Sequence, residues 1–122
     1  MTPRYKCDIC GQEHYQDDKG CKTIEAVLGE VGAERVRQHA KWGEQNHPDG
    51  TGDDMRTLMA EAAQEACDQA AKNGTITYCH ILEEEVAEAF AESDPAKLRA
   101  ELIQVAAVAV AWAEAIDRRT GG

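Results

Sequence analysis

The sequence predicts an all-α protein built from four helices. Apolar residues recur at helical spacing in four stretches between Thr23 and Arg119. Clusters of Gly, Pro, Asn and Asp separate these stretches, and such clusters end helices and form turns. Because the connections are short, the four helices are expected to pack as a bundle.

The first helix is expected over residues 23–43. Thr23 can act as its N-terminal cap, and Lys41 gives it a basic C-terminal end before Gly43. Its apolar residues share one face. The next segment, residues 44–54, concentrates Asn, Pro, Gly and Asp, so it is expected to form an exposed loop.

The remaining helices are bounded by clear start and stop signals. A second helix is expected over residues 55–72, followed by Asn73-Gly74. A third covers residues 77–92, and Asp94-Pro95 then starts a fourth that continues to about Arg119. The middle of the fourth helix is apolar almost all round, which indicates a central packing position or an oligomer interface.

Composition restricts the possible functions. The 122 residues suit a single helical domain, residues 23–122, preceded by a distinct Cys/His segment, residues 1–22. The net charge of -10 disfavours nucleic acid and anionic membranes as partners. No signal peptide is evident, and the apolar run of residues 102–113 is shorter than the about 20 residues that span a bilayer. A cytoplasmic protein is expected.

The N-terminal segment carries residue types that bind zinc. Cys7-x-x-Cys10, His14 and Cys21 supply four ligands for a tetrahedral site, and their spacing resembles a zinc knuckle without matching it. The alternative is a tail with free or redox-active thiols. Five cysteines do not form a closed disulfide set, so no disulfide is expected, and Cys67 and Cys79 are expected to be buried on helices.

Acidic residues on the third and fourth helices form a candidate metal site. Glu84, Glu85 and Glu88 are three or four residues apart and share a helix face, while Glu101 and Gln104 begin the apolar part of the fourth helix. Facing carboxylates need a cation, and hard oxygen ligands favour magnesium or manganese. The alternative is a solvated acidic face, with Glu101 exposed near a helix N-terminus.

These residues also resemble a known family. Glu84-Glu85-x-x-Glu88, 12 further residues and Glu101-x-x-Gln104 resemble the EExxE…ExxD pattern of the MazG-like all-α nucleoside triphosphate pyrophosphohydrolases. With ERVRQHAKWGEQNHPDG, TYCHILEEEVAEA and ELIQVAAVAVAWAEAIDRR, residues 34–119 are similar to a branch found in actinobacteria and their phages. Gln104 departs from the pattern, which has Asp there.

The resemblance implies a magnesium-dependent hydrolase that cleaves nucleoside polyphosphates between the α- and β-phosphates. It implies Glu85, Glu88 and Glu101 as catalytic metal ligands, Glu84 as a catalytic base beside the metal, and Gln104 as a weaker ligand through its amide oxygen. A homodimer or homotetramer is expected. Because Gln104 is neutral, a nucleotide-binding or sequestering protein with weakened turnover is the alternative, and an interaction module organised by the N-terminal segment is a third reading.

Substrate contacts are expected at the end of the first helix. The sequence has no GxxxxGK[ST] phosphate loop, so Arg37 and Lys41 are expected to bind phosphate. Trp42 is placed to stack on a base whose edge Gln38 reads, or else it packs against the bundle. The histidines His39 and His47 are expected at the surface, and His80 either reaches the site or satisfies the backbone.

Overall fold

The computed structural model describes residues 4–6, 13–15 and 20–121, with side chains described for Lys6 and from Thr23 onward. From residue 20 on, the described chain is all-α, as the sequence predicts. In chain order the elements are β1 (Arg4–Lys6), β2 (Glu13–Tyr15), α1 (Gly20–Trp42), α2 (Asp54–Asn73), α3 (Tyr78–Ala91) and α4 (Pro95–Arg119).

The two strands form a hairpin that the sequence did not indicate. β1 and β2 pair antiparallel, with Tyr5 opposite His14 and Lys6 opposite Glu13. Strands of three residues are too short to show the apolar alternation that reveals a strand in a sequence. The hairpin lies within residues 1–22, the segment that the sequence sets apart from the helices.

The chain divides into two compact units. One contains Met1–Asn46 and Ala113–Gly122, and the other is His47–Trp112. In the first unit, α1 begins at Gly20, so Thr23 lies inside the helix. The prediction that Thr23 caps the N-terminus of this helix was therefore wrong. The helix ends as expected, because Gly43 adopts a left-handed φ of 67° and donates from its backbone N–H to the His39 carbonyl at 2.8 Å.

In the second unit, side-chain caps fix where α2 and α4 begin. Asp53 accepts a hydrogen bond from the Arg56 backbone N–H at 2.8 Å, and Asp94 accepts one from Lys97 at 3.0 Å. Gly74 ends α2 in the left-handed region, with φ of 72°. The start signal at Asp94-Pro95 and the stop at Asn73-Gly74 therefore act as the sequence predicts.

The first turn of α3 is closed by a capping box. Thr77 Oγ1 accepts a hydrogen bond from the His80 backbone N–H at 3.2 Å, and His80 Nδ1 accepts one from the Thr77 backbone N–H at 3.1 Å. His80 therefore has a structural role at the start of this helix. The capping box fixes the residue at which α3 begins.

Packing of α2 against α3 gives the second unit a small core. The Tyr78 and Trp112 rings add a stack across α3 and α4, with centroids 5.8 Å apart. Larger apolar side chains, including Leu102 and Ile103 of α4, remain exposed. The buried apolar residues of this unit are Cys67, Ala70, Ala89, Leu98 and Val110.

None of the helices in the described part of the chain combines the length and the apolar character that crossing a membrane requires.

Candidate metal centre

Three carboxylates of the second unit converge between α3 and α4. One oxygen each from Glu85, Glu88 and Glu101 lies within 4.8 Å of the other two, and all three residues are half-buried. Glu85 and Glu88 share a face because they are three residues apart on α3. The first turns of α4 bring Glu101 to that face, so the structure brings together the three expected ligands.

Burial and mutual repulsion make this cluster unfavourable when all its members are ionised. Burial, together with the neighbouring charges of Glu85, Glu84 and Glu101, raises the pKa of Glu88 from 4.5 to about 7. Burial and the charges of Glu101 and Glu84 also raise the pKa of Glu85. A bound cation would remove this repulsion, and this is the electrostatic condition that a metal site satisfies.

The donor set suits a hard divalent cation. Ligand oxygens at 2.0–2.1 Å from magnesium lie about 3 Å apart at adjacent octahedral positions and about 4.2 Å apart across the octahedron, and only one pair among three ligands can lie across it. The three glutamate oxygens, which lie within 4.8 Å of one another, would therefore approach each other by up to about 2 Å when a cation binds. Three carboxylates suit magnesium or manganese better than zinc or copper, which favour imidazole or thiolate ligands.

Glu84 lies at the edge of this cluster and has two polar neighbours. It hydrogen-bonds to the Glu88 carboxyl group, which contributes to the raised pKa of Glu88. On its other side, a hydrogen bond to Glu84, together with burial, raises the pKa of the Cys67 thiol to about 11. Cys67 therefore stays protonated at neutral pH and can donate to the Glu84 carboxylate.

Sequence reasoning missed this contribution of Cys67. The residue is buried on α2, as expected, but only a packing role is predictable from its place in the sequence. Its contact with Glu84 depends on how α2 packs against α3, and no local pattern in the sequence reports that register. The prediction for Cys79 was wrong, because its side chain is exposed in the first turn of α3.

Gln104 lies on α4 one turn after Glu101, and its side chain is exposed. An amide oxygen can coordinate magnesium but adds no charge to the site. Coordination by Gln104 stays a prediction.

The residues expected to bind substrate lie near the end of α1, in the first unit. Arg37 pairs with Glu34, its Nε donating at 2.8 Å. Lys41 Nζ lies 4.8 Å from the centre of the Trp42 ring, and this ring is 60% exposed. Gln38 accepts a hydrogen bond from Arg35 at 2.8 Å. An exposed indole beside a cation has the chemistry to contact a nucleotide, whereas an indole packed into the core does not.

The other expected site residues divide into two groups. His39 and His47 are exposed, as expected of surface histidines. The side chains of the candidate zinc ligands lie outside the described residues, although the backbone of His14 belongs to β2 and that of Cys21 to α1. The zinc hypothesis, which concerns Cys7, Cys10, His14 and Cys21, therefore stays a prediction.

Comparison with known proteins adds no assignment: no protein-family model matches the chain, and neither a curated protein nor a solved structure is significantly similar to it. A functional proposal therefore depends on the site itself and on the resemblance of its acidic residues to the EExxE…ExxD pattern.

Proposed function

We propose that this protein is a magnesium-dependent nucleotide pyrophosphohydrolase of the MazG-like kind. The observation that carries the proposal is the convergence of Glu85, Glu88 and Glu101 within 4.8 Å. The order and spacing of these glutamates resemble the EExxE…ExxD pattern. The reaction is hydrolysis between the α- and β-phosphates of a nucleoside polyphosphate, which releases a monophosphate and pyrophosphate.

The four glutamates divide into three metal ligands and one base. Glu85, Glu88 and Glu101 hold the cation, with Gln104 as a neutral fourth ligand. Magnesium, when bound, neutralises phosphate charge and increases the acidity of water. Glu84 accepts the proton of the attacking water, and the hydrogen bond with Cys67 limits the orientations that its carboxylate adopts.

The residues at the end of α1 supply substrate recognition in this proposal. Arg37 and Lys41 bind phosphate oxygens, while Trp42 stacks on the base and Gln38 contacts its edge. Arg37 must exchange its ion pair with Glu34 for a phosphate, and this exchange is easy because both side chains are more than half exposed.

The proposal is tested by product analysis. The full chain is incubated with a panel of nucleoside triphosphates and magnesium or manganese, and the products are separated by ion-exchange chromatography. We expect a monophosphate and pyrophosphate. Glu85→Gln should abolish turnover, whereas Glu65→Gln, which removes an exposed charge from α2, should retain it. Release of a diphosphate and inorganic phosphate, or equal turnover by the two variants, would refute the assignment.

A binding protein with weakened turnover is the second candidate, and the neutral Gln104 favours it. Removing one negative charge lowers the affinity for the cation and with it the fraction of protein in the active form. Isothermal titration with a non-hydrolysable triphosphate distinguishes the two. Tight, magnesium-dependent binding without product release in the chromatographic assay would assign sequestration.

A further inference from the structure

The end of α2 carries an Asn-Gly pair. The chain has two asparagines, Asn46 and Asn73, and only Asn73 is followed by glycine. Asparagine is a thermally labile residue, because the backbone nitrogen of the next residue can attack its side-chain amide. A side chain on that next residue hinders the attack, and Gly74 has no Cβ. The chemistry of the sequence therefore favours reaction at Asn73 over Asn46.

The structure leaves both reacting groups accessible. Asn73 is the last residue of α2, and both it and Gly74 are exposed. The Asn73 Oδ1 atom accepts a hydrogen bond from Nε2 of the exposed Gln69 at 3.3 Å. The Gly74 backbone N–H donates to the Ala71 carbonyl, also at 3.3 Å. Both distances are long for an N–H···O hydrogen bond, so neither group is held firmly.

One short hydrogen bond closes the turn after α2. The Thr75 backbone N–H donates to the Ala70 carbonyl at 2.8 Å, and Gly74 adopts its left-handed conformation inside this turn. The Gly74 nitrogen reaches the Asn73 side chain only when the turn opens. Because the last turn of a helix frays, the fold slows this approach without preventing it.

We propose that Asn73 is a site of spontaneous deamidation that weakens the end of α2. The Gly74 backbone nitrogen gives up its proton and bonds to the side-chain carbonyl carbon of Asn73, and that carbon releases its amide nitrogen as ammonia. The cyclic succinimide that results takes up water and opens to aspartate or isoaspartate at position 73. Water is the only co-reactant, and the reaction depends neither on the metal cluster nor on the proposed hydrolysis.

Both products lower the stability of this helix end. A carboxylate at position 73 lies at the C-terminus of α2, where the helix dipole disfavours negative charge. Isoaspartate also adds one carbon to the backbone, which displaces Gly74 and breaks the hydrogen bond between Thr75 and Ala70. Because Ala70 is only 6% exposed, water replaces that bond poorly. Isoaspartate should therefore be the more damaging product.

Ageing of the full chain tests the site. The protein is incubated for several days at mildly alkaline pH, acidic species are separated by anion exchange, and peptide mapping against a zero-time sample locates the change. We expect Asn73 to exchange its NH₂ group for OH several times faster than Asn46, which is also exposed. Asn73→Gln should remove most of the acidic species, because a glutamine side chain has to close a larger ring.

Thermal melts of the separated species test the consequence. Protein that contains isoaspartate should melt a few degrees below the unmodified chain. Asn73→Asp is the matched control, because it adds the charge without the extra backbone carbon, and its melting temperature should fall by less. Circular dichroism confirms that each species is folded before it is heated.

The rates and the melts can each overturn the proposal. If Asn46 reacts as fast as Asn73, or if Asn73 reacts only after the chain is unfolded in urea, the end of α2 is not a deamidation site of the folded protein. If the isoaspartate species and the unmodified chain melt at the same temperature, the modification does not weaken this helix end.

Discussion

At the scale of single residues, Glu88 controls how the metal-free cluster responds to pH. Burial and the charge of Glu85 raise its pKa from 4.5 to about 7, so the folded protein holds this proton more tightly than the unfolded chain does. The resulting stabilisation is complete below about pH 4.5 and is lost as the pH rises to about 7. Glu85, whose pKa is also raised, acts in the same direction.

We therefore expect the melting temperature of the metal-free protein to fall as the pH rises from 4.5 to 7. Glu88→Gln should make this fall smaller. The substitution removes the titrating group and keeps a side chain of similar size. Thermal melts followed by circular dichroism in the presence of a chelator measure the effect. Glu65→Gln serves as the control and should follow the wild-type curve. Parallel curves for Glu88→Gln and the wild type would contradict the assigned cause.

Gln104 is the position where one added charge should strengthen the site. Gln104→Asp places a carboxylate one turn from Glu101, and we expect magnesium affinity to rise on the order of tenfold. Without metal, the added repulsion should lower the melting temperature by a few degrees. Calorimetric titration with magnesium and thermal melts measure both effects.

Gln104→Asn is the matched control for that substitution, because it shortens the side chain as Asp does but adds no charge. It should weaken magnesium binding or leave it unchanged. If Gln104→Asp changes neither the magnesium affinity nor the melting temperature, Gln104 does not face Glu85 and Glu88, and the contribution of α4 to the site is reduced to Glu101.

At the scale of elements, the loop before α2 is fastened to the end of α3. The Gly52 backbone N–H donates to the Phe90 carbonyl at 2.9 Å, and Thr51 Oγ1 donates to the Glu92 carbonyl at 2.6 Å. Gly52 has a φ of 89°, and a Cβ at this position would lie 2.7 Å from Ser93 Cβ. The close approach and the backbone conformation both require glycine here.

Gly52→Ala should therefore destabilise the protein by about 2–4 kcal/mol, combining backbone strain with a steric clash. Gly50→Ala is the matched control: its φ is 69°, but a Cβ there meets nothing within 4 Å, so about 1 kcal/mol of strain is expected. Urea unfolding gives both free energies. Equal losses for the two variants would show that the contact with Ser93 does not constrain the loop.

Signals confined to one helix made most of this architecture predictable. The stop at Gly74 and the start at Asp94-Pro95 depend on local hydrogen bonds and backbone conformation, so the sequence located α2, α3 and α4 within one residue at each end. The predicted start of α1 at Thr23 lies three residues after the observed start at Gly20, because Thr23 is a good cap residue that the helix does not use as a cap.

Features that depend on packing between elements were not predictable. The EExxE spacing placed Glu85 and Glu88 on one face, but the contact between Cys67 and Glu84 depends on the register of α2 against α3. The same register brings Arg56 onto the Phe90 ring. A sequence pattern reports which residues share a helix face, not which face of a neighbour they meet.

At the scale of the whole molecule, the N-terminal segment and the carboxylate cluster are expected to act independently. If Cys7, Cys10, His14 and Cys21 bind zinc, protein purified without chelator should contain close to one zinc per chain. Cys7→Ser/Cys10→Ser should lose that zinc and keep hydrolysis, because the glutamates prefer a different metal. Elemental analysis alongside the nucleotide assay tests both statements, and joint loss of zinc and hydrolysis would show that the two sites are coupled.

Net charge complicates any test of magnesium binding in this protein. At a net charge of -10, any salt reduces self-repulsion and raises the stability of the folded chain. A site-specific effect must therefore exceed that of sodium chloride at equal ionic strength. It should also keep rising with the logarithm of the magnesium concentration above the dissociation constant, because an ion that binds only the folded state stabilises it by RT ln(1 + [L]/Kd).

We expect magnesium at about one hundred times its dissociation constant to add about 2.7 kcal/mol, equivalent to a rise of roughly 10 °C in melting temperature. In Glu85→Gln or Glu88→Gln, the specific rise should disappear, because the unfolded chain and the disrupted cluster bind the ion equally poorly. The shift produced by sodium chloride should remain the same in all three proteins. If magnesium and sodium chloride stabilise the wild type equally at matched ionic strength, the carboxylates form a solvated acidic face rather than a metal site.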